Sequence, residues 1–424
     1  MYLKGSKWSM NRKRTRPNWF RILLLVLLIA GGVYVDRFII PTRPSPFVPT
    51  ATPTRAPESY VTEAETLFNA GKLLQSIEMY QKAIAADPQD ENVYIAIARV
   101  QIFAGQYKDA QTSAEDALLL NPNNSMAHAL LAWAQDFEGN YLEAEAAIQR
   151  ALELDPNNGL AHAYYVEILV DSYVLGGGPF ESIDKAIDQS KLALALAPNA
   201  LETHRARAYI LEATANYEEA IREYQAAIAL NGNIPDLHLA IGRNYRALQI
   251  YDQAVAEFTR ANSLNPADPT PDLLISRTYA TIGEYHKAAQ YAETAVRDSP
   301  SDPNLRGNLG VMYYRMPDWP NAVVQLALAI KGGTSEDGDK VAPIQLVADT
   351  HISEYYFTYA LVLAKLSRCG DALQVARTIK ETLPSDELSV GNADEAIRIC
   401  QKNLESPGTP TSTAPGDLTP TAAP

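Results

Sequence analysis

The chain has 424 residues and a formal net charge of −14. Its first 21 residues hold seven cations (Lys4, Lys7, Arg12, Lys13, Arg14, Arg16 and Arg21) and no acid, so the remainder carries −21. Phosphate backbones are gripped through a basic footprint, which this composition denies to nucleic acid. No Gly-x-Ser-x-Gly, His-Glu-x-x-His, Gly-x-x-x-x-Gly-Lys or Cys-x-x-Cys pattern occurs, so catalytic chemistry has no signature and no cofactor is expected.

The basic segment, residues 1–21, runs into the apolar stretch Ile22 to Val35, and counting from Trp19 to Ile40 gives 22 residues with Asp36 and Arg37 near the far end. About 20 apolar residues span a bilayer, and positive residues stay in the cytoplasm. Residues 19–40 are therefore expected to be a retained transmembrane signal anchor, N-terminus cytoplasmic, with the rest of the chain outside the cell membrane. The alternative is a signal peptide cleaved near Gly32, at the small residues Ala30 and Gly32, leaving a secreted protein; a buried soluble helix is the third reading. Residues 41–57 (PTRPSPFVPTATPTRAP) read as an extended Pro/Thr-rich linker, a candidate for O-glycosylation.

From residue 57 a phrase recurs: AIAADP ends at Pro88, ALLLNP at Pro122, ALELDP at Pro156, ALALAP at Pro198, SLNP at Pro266 and VRDSP at Pro300. The intervals are 34, 34, 42, 68 and 34, with Gly232 standing where the missing proline would fall. Alanines form two columns, Ala110, Ala144, Ala186, Ala220, Ala254, Ala288, Ala322 and Ala372, and seven residues on, Ala117, Ala151, Ala193, Ala227, Ala261, Ala295 and Ala329. Gly71, Gly105, Gly139 and Gly283 mark a turn, followed two places later by an aromatic at Tyr107, Tyr141 and Tyr285, with Tyr217, Tyr251 and Trp319 in the same column. Segments such as YLEAEAAIQRALEL are amphipathic and rich in helix formers. A 34-residue period of such segments means helix pairs that bury their apolar faces only by stacking.

This pattern resembles the tetratricopeptide repeat, over about eight repeats in 57–336 and a weaker ninth within 353–404, where a capping helix follows. The resemblance implies an all-α, right-handed superhelical solenoid of stacked antiparallel helix pairs. It also implies a concave groove lined by the second, fifth, ninth, twelfth and thirteenth places of each repeat. Those places hold Glu65, Phe68, Arg99, Ile102, Phe103, Trp133, Asp136, Phe137, Glu167, Asp171, Arg205, Tyr209 and Glu212 in the first five repeats. Arg243, Arg246, Arg277, Asn304, Asn308, Tyr314 and Arg315 follow in the next three. The middle is acidic and aromatic, the last third rich in arginine. An acidic segment or a chain carboxylate would dock there through bidentate bonds, with Trp133, Tyr209 and Tyr314 as aromatic anchors; internally paired charge and a filled wall are the competing readings. Arg243, Arg277 and Asn308 are loosely comparable to residues with which members of the family clamp a peptide carboxylate, although the strict clamp motif is absent here.

His128, His162, His204 and His238 occupy the fourth place of their repeats. There the family packs a large side chain, and one-repeat spacing of ~10 Å is too wide for ligands that converge within ~2 Å of a metal. No metal is expected.

Repeat four is eight residues long by excess, around 171–180, with Gly176, Gly177 and Gly178 in a row; this reads as a tolerated loop or a mobile lip on the groove. The stretch from Lys331 to Thr350, with a long loop at 337–352, exceeds an ordinary turn, and the acids of SEDGDK lack the spacing of a calcium loop. Cys369 and Cys400, expected near a helix end and in the terminal helix, pair in an oxidising exterior or remain buried thiols. Residues 405–424 are a Pro/Thr-rich tail without core-forming residues.

The sequence thus reads as a membrane-anchored, non-enzymatic scaffold that binds a protein or peptide, with an acidic ligand suited to its arginines; it carries no signature of oligomeric state. The alternative is an adaptor subunit of an envelope enzyme system for wall synthesis, glycan transfer or secretion. A second alternative is a glycan- or small-molecule-binding enzyme using Glu65, Asp136 and Glu167, which repeat spacing is expected to hold farther apart than the ~5 to 10 Å of paired-carboxylate chemistry.

Overall fold

The computed structural model describes residues 18–35, 37 and 55–405, and the chain divides into two units after Ala56. The basic segment up to residue 17, most of the linker and the tail from 406 onward lie outside the described residues.

In the first unit, Trp19–Tyr34 forms one helix, α1, with no buried residue. Sixteen residues rise about 24 Å, less than the ~30 Å hydrocarbon thickness of a bilayer. Among the described residues no helix is long and apolar enough to cross a membrane; the expected anchor over 19–40 includes residues 36 and 38–40, which lie outside the described residues. The α-helical winding stops where the apolar run itself stops, just after Gly31 and Gly32, and Val35 and Arg37 are wound as π turns.

The second unit is a run of helix pairs: Pro57–Asn69 with Leu73–Ala86 (α2, α3), Glu91–Phe103 with Tyr107–Leu120 (α4, α5), Ser125–Phe137 with Tyr141–Leu154 (α6, α7), and Gly159–Val174 with Glu181–Leu196 (α8, α9). Leu201–Ala213 with Tyr217–Leu230 (α10, α11), Pro235–Ala247 with Tyr251–Leu264 (α12, α13), Thr270–Thr281 with Tyr285–Asp298 (α14, α15), and Pro303–Arg315 with Trp319–Lys331 (α16, α17) continue it. Thr350–Lys365 with Cys369–Thr382 (α18, α19) and the cap Glu387–Glu405 (α20) close it.

Each junction has a local cause. The residue before the repeat-ending proline is driven to extended backbone, as at Asp87, Asn121 and Asp155. Two or three residues later Asp90, Asn124, Asn158 or Asp302 accepts a backbone N–H from the first turn of the next helix, satisfying a donor the helix leaves open. Inside the pairs Gly71, Gly105, Gly139 and Gly283 adopt φ of +73 to +81°. Ala215, Gln249 and Ser367 hold the same left-handed turn in pairs without that glycine. Both alanine columns are almost wholly buried, because a larger side chain there would push the paired backbones apart.

The two irregular stretches are more ordered than their composition implies. Most of the surplus in repeat four is absorbed by helix: α8 and α9 are 16 residues each against 13 and 14 in neighbouring pairs, and only residues 175–180 remain as connection. After α17, Gly333–Thr334 (β1) pairs antiparallel with Lys340–Val341 (β2), Gly333 opposite Val341. The chain then returns along the array, with the Ile344 amide bonded to the Ala329 carbonyl at 2.9 Å and the Tyr356 hydroxyl to the Ile344 carbonyl at 2.8 Å. The expected loop 337–352 therefore ends in α18, which begins at Thr350.

The solenoid also meets itself. Asn231 and Asn233, between α11 and α12, donate to the carbonyls of Phe68 and Asn69 at the end of α2 (3.3 and 3.2 Å). Arg99 on α4 pairs with buried Glu202 on α10 at 2.5 Å. Phe68, Ile77 and Tyr80 share one apolar core with Leu201, Tyr224, Ile234 and Leu237. The first pair thus packs on the fifth and sixth, closing one turn of the coil.

A filled groove and a candidate anion pocket

Part of the predicted groove is filled by the chain itself. On the inner faces of α2, α4 and α6 the rings of Phe68, Phe103, Trp133 and Phe137 follow one another with centroids 5.4 to 5.9 Å apart. Trp133 is wholly buried; its Nε1–H donates to Glu167 Oε2 at 2.8 Å. Arg205 lies over the Trp133 ring at 5.2 Å and bonds both Glu167 and Asp236. The Tyr209 hydroxyl donates to Asp171, and Arg243 Nε donates to Glu212 at 3.2 Å. Trp133, Tyr209 and Arg243, expected to face a partner, are therefore engaged by the chain itself.

The carboxylates also depart from expectation. Asp136 and Glu167, on adjacent repeats, join Asp171 in one cluster. Inner helices separated by a helix diameter aim their side chains at a common axis, so groups one repeat apart converge. Glu65 is not one of the cluster. Burial, first, and then the charges of Asp171 and Glu167 push Asp136 well above the usual carboxylate range. Burial raises Asp171 as well, and pushes Glu167 up to about 7 against the opposing pull of Arg205.

Three of the four histidines in the column share a structural role. Nε2 of His128, His162 and His238 lies 3.0 to 3.2 Å from the carbonyl oxygen of the residue six places earlier (Pro122, Pro156 and Gly232). In repeat eight Arg306 Nε takes the same place on Pro300 at 2.8 Å. Each ring donates to the carbonyl at the repeat junction; among the described residues no group of His, Cys, Asp and Glu is arranged to hold a metal.

Beyond the closed turn the groove opens. Arg246 in the last turn of α12, Arg277 on α14, Asn308 and Arg315 on α16, and His351 and Glu354 at the start of α18 border a cavity of about 500 Å³, with Tyr251 and Tyr285 from the intervening turns. Arg315 pairs with Glu354 at 3.2 Å, and Asn308 is held by Ser276 at 3.0 Å. Arg277 donates through Nη2 to the Tyr355 hydroxyl at 3.2 Å, while its buried Nε has no hydrogen-bond partner among the described residues. Arg246 has no acidic partner within ion-pair distance among the described residues; burial and the neighbouring Arg277 and Arg243 lower its pKa. Burial and the same Arg277 lower that of His351. The pocket thus brings together Arg246 and Arg277, neither with an acidic partner at ion-pair distance among the described residues, beside the paired Arg315 and Glu354, which makes it a candidate anion site.

Of the predicted residues, Arg246, Arg277, Asn308 and Arg315 come together here. Tyr314 does not; half-buried, it packs on the core beneath the cap. His351 and Glu354 escaped sequence reasoning because the irregular residues 332–349 break the 34-residue count before α18. Tyr251 and Tyr285 were in view as turn markers, and the structure adds them to the pocket wall. Cys369, the first residue of α19, is disulfide-bonded to Cys400 on α20, with 5.4 Å between Cα atoms.

Tetratricopeptide repeat models match residues 67–134, 127–158 and 273–337. No curated protein matches. Among solved structures, the human IFIT1 dimer with PPP-AAAA is similar at 16% identity and a TM-score of 0.53, over 83% of this chain and 87% of that one. A tetratricopeptide repeat protein from Parabacteroides merdae covers 65% of this chain and 98% of its own, at 14% identity and a TM-score of 0.43. Pseudomonas aeruginosa pilF gives 14% identity and 0.44, over 57% of this chain and 99% of its own. At such identities the likeness to IFIT1 concerns the fold alone. Three repeat matches set in one continuous array of stacked helix pairs support a tetratricopeptide repeat protein.

Proposed function

We propose that this chain is a non-enzymatic protein-interaction scaffold whose C-terminal repeats receive an acidic segment or terminal carboxylate of a protein partner. The observation that carries this reading is a contrast among inner-face arginines: Arg99, Arg205 and Arg243 each meet a carboxylate of the chain, whereas Arg246 and Arg277 do not. Each charge-assisted bond to an incoming carboxylate contributes about 1.5 to 3 kcal/mol, and Tyr251 and Tyr285 offer apolar faces beside it. A nucleic-acid ligand is not carried over from the IFIT1 likeness, since the chain bears net negative charge. The test is crosslinking capture with the native chain beside Arg246→Glu and the triple variant Arg243→Glu, Arg246→Glu, Arg277→Glu. Loss of a captured partner from an Arg246→Glu chain of native helicity supports the reading; identical capture by all three refutes it.

The scaffold is further proposed to be tethered by its N-terminus, with the array outside the cytoplasmic membrane. The support is that α1 is apolar apart from Arg21 in its first turn and has no buried residue, that basic residues precede it and Phe38, Ile39 and Ile40 follow it in sequence, and that a disulfide suits an oxidising compartment. Retention in the membrane pellet after alkaline carbonate, with the array digested by protease added from outside, is the expected result; release into the supernatant contradicts it.

A further inference from the structure

The cavity inside the closed N-terminal turn holds more carboxylates than the chain's own cations neutralise. About 330 Å³ of space is lined by Glu167, Asp171, Glu212 and Asp236 against Arg205 and Arg243. Arg205 serves both Glu167 and Asp236, and Arg243 serves Glu212, which also receives Tyr224 and Asn244 (3.0 Å each). Asp171 has the neutral Tyr209 hydroxyl and, behind it, Asp136, whose two oxygens find no N–H or O–H donor. Glu167, only 2% exposed, lines the cavity with Oε1 unpartnered. A buried acceptor without a donor is costly, and here three carboxyls compete for one guanidinium.

We infer that this cavity accepts the cationic head of a ligand, a primary ammonium or a guanidinium, seated against Glu167 Oε1 and Asp171 beside the Phe137 ring. The head is the donor that these oxygens lack. Phe137, Arg205 and Asp236 line both this cavity and a larger cleft of about 770 Å³, so an aliphatic stem bearing the head has a route past half-exposed Asp236. The same chemistry is supplied by a small amine or by a lysine or arginine side chain of a polypeptide. This site is opposite in charge to the arginine pocket and does not rest on its assignment. The raised pKa values of Asp136, Asp171 and Glu167 agree with it: without an external cation, the cluster meets its shortage of positive charge by holding protons.

Isothermal titration of the full chain with agmatine and n-butylamine, beside neutral butyramide, tests the inference. Saturable one-to-one binding of the amines but not butyramide is expected, weakened at least about tenfold in the near-isosteric Asp171→Asn and Glu167→Gln chains and unchanged in Arg222→Ala, at an exposed position of α11. N-acetyl-arginine amide and N-acetyl-lysine amide separate the two sources: tighter binding than agmatine assigns the site to a polypeptide side chain, weaker binding to a small amine. Absence of saturable amine binding overturns the inference, as does equal affinity in Asp171→Asn with a native circular dichroism spectrum. Circular dichroism of each variant keeps a failure to fold from passing for a loss of binding.

Discussion

At the residue scale, the buried acids make stability depend on pH in a direction opposite to that of ordinary paired carboxylates. Burial raises Glu167 from the usual 4.5 to about 7, so the folded chain binds this proton more tightly than the unfolded chain does. Stability is then greatest below the unfolded value, falls as pH rises from about 4.5 through about 7, and levels off above it. Unfolding of the N-terminal repeats by urea should show a loss of up to about 3 kcal/mol across that window, with a flatter slope in Glu167→Gln; an identical slope would show that Glu167 is not the titrating group. Backbone strain offers a second check. Gln249 sits at φ +62° and Ala215 at φ +60°, where a side chain costs ~1 to 2 kcal/mol and glycine costs nothing sterically. Gln249→Gly and Ala215→Gly should each raise stability by about 0.5 to 1 kcal/mol after the loss of chain entropy in the unfolded state, read as a higher urea midpoint. The glycine column was legible in sequence because the turn demands a positive φ at one place. That Ala215, Gln249 and Ser367 keep the same turn was not legible, since neighbouring helices impose it.

Among elements, the cap is where a cross-link matters most, because a terminal repeat has a neighbour on one side only. The bridge between Cys369 and Cys400 closes a separation of 31 residues, and the chain-entropy model assigns it ~3 to 4 kcal/mol. Reduction, or Cys400→Ala, should speed amide hydrogen exchange in α19 and α20 and leave the repeats from α4 to α13 unchanged; uniform acceleration throughout would mean that the array unfolds as one block. Helix starts, stops and the alanine columns could be read from sequence because each is set by near neighbours, proline before an N-cap or a small side chain between paired backbones. The eight-residue surplus of repeat four read as loop because its glycine triplet dominates composition. Residues 171–174 instead extend α8, whose Asp171 is buried with the carboxyl cluster. The true register of α18 was hidden by the irregular 332–349 stretch, and with it the contribution of His351 and Glu354.

On the scale of the whole molecule, the decisive feature is the closure of the first six pairs. Contacts such as Asn231 with the Phe68 carbonyl join positions 163 residues apart, and they arise from twist accumulated over several repeats, which no single repeat encodes. Sequence could name the groove positions; it could not tell which of them the next turn of the coil would cover. Trp133, Tyr209 and Arg243 are held by carboxylates of the adjacent repeat, Glu167, Asp171 and Glu212, while Arg246, Arg277, Asn308 and Arg315, beyond the closed turn, gather around an open pocket. The most direct test of this division is fluorescence anisotropy with a fluorescein-labelled hexa-aspartate peptide. The native chain should bind it in a salt-sensitive manner, Arg246→Ala and Arg277→Ala should each weaken binding about tenfold, and Arg222→Ala, at an exposed position of α11, should leave it unchanged. Equal binding by all four chains, or equal loss in Arg222→Ala, would contradict the assignment of the pocket.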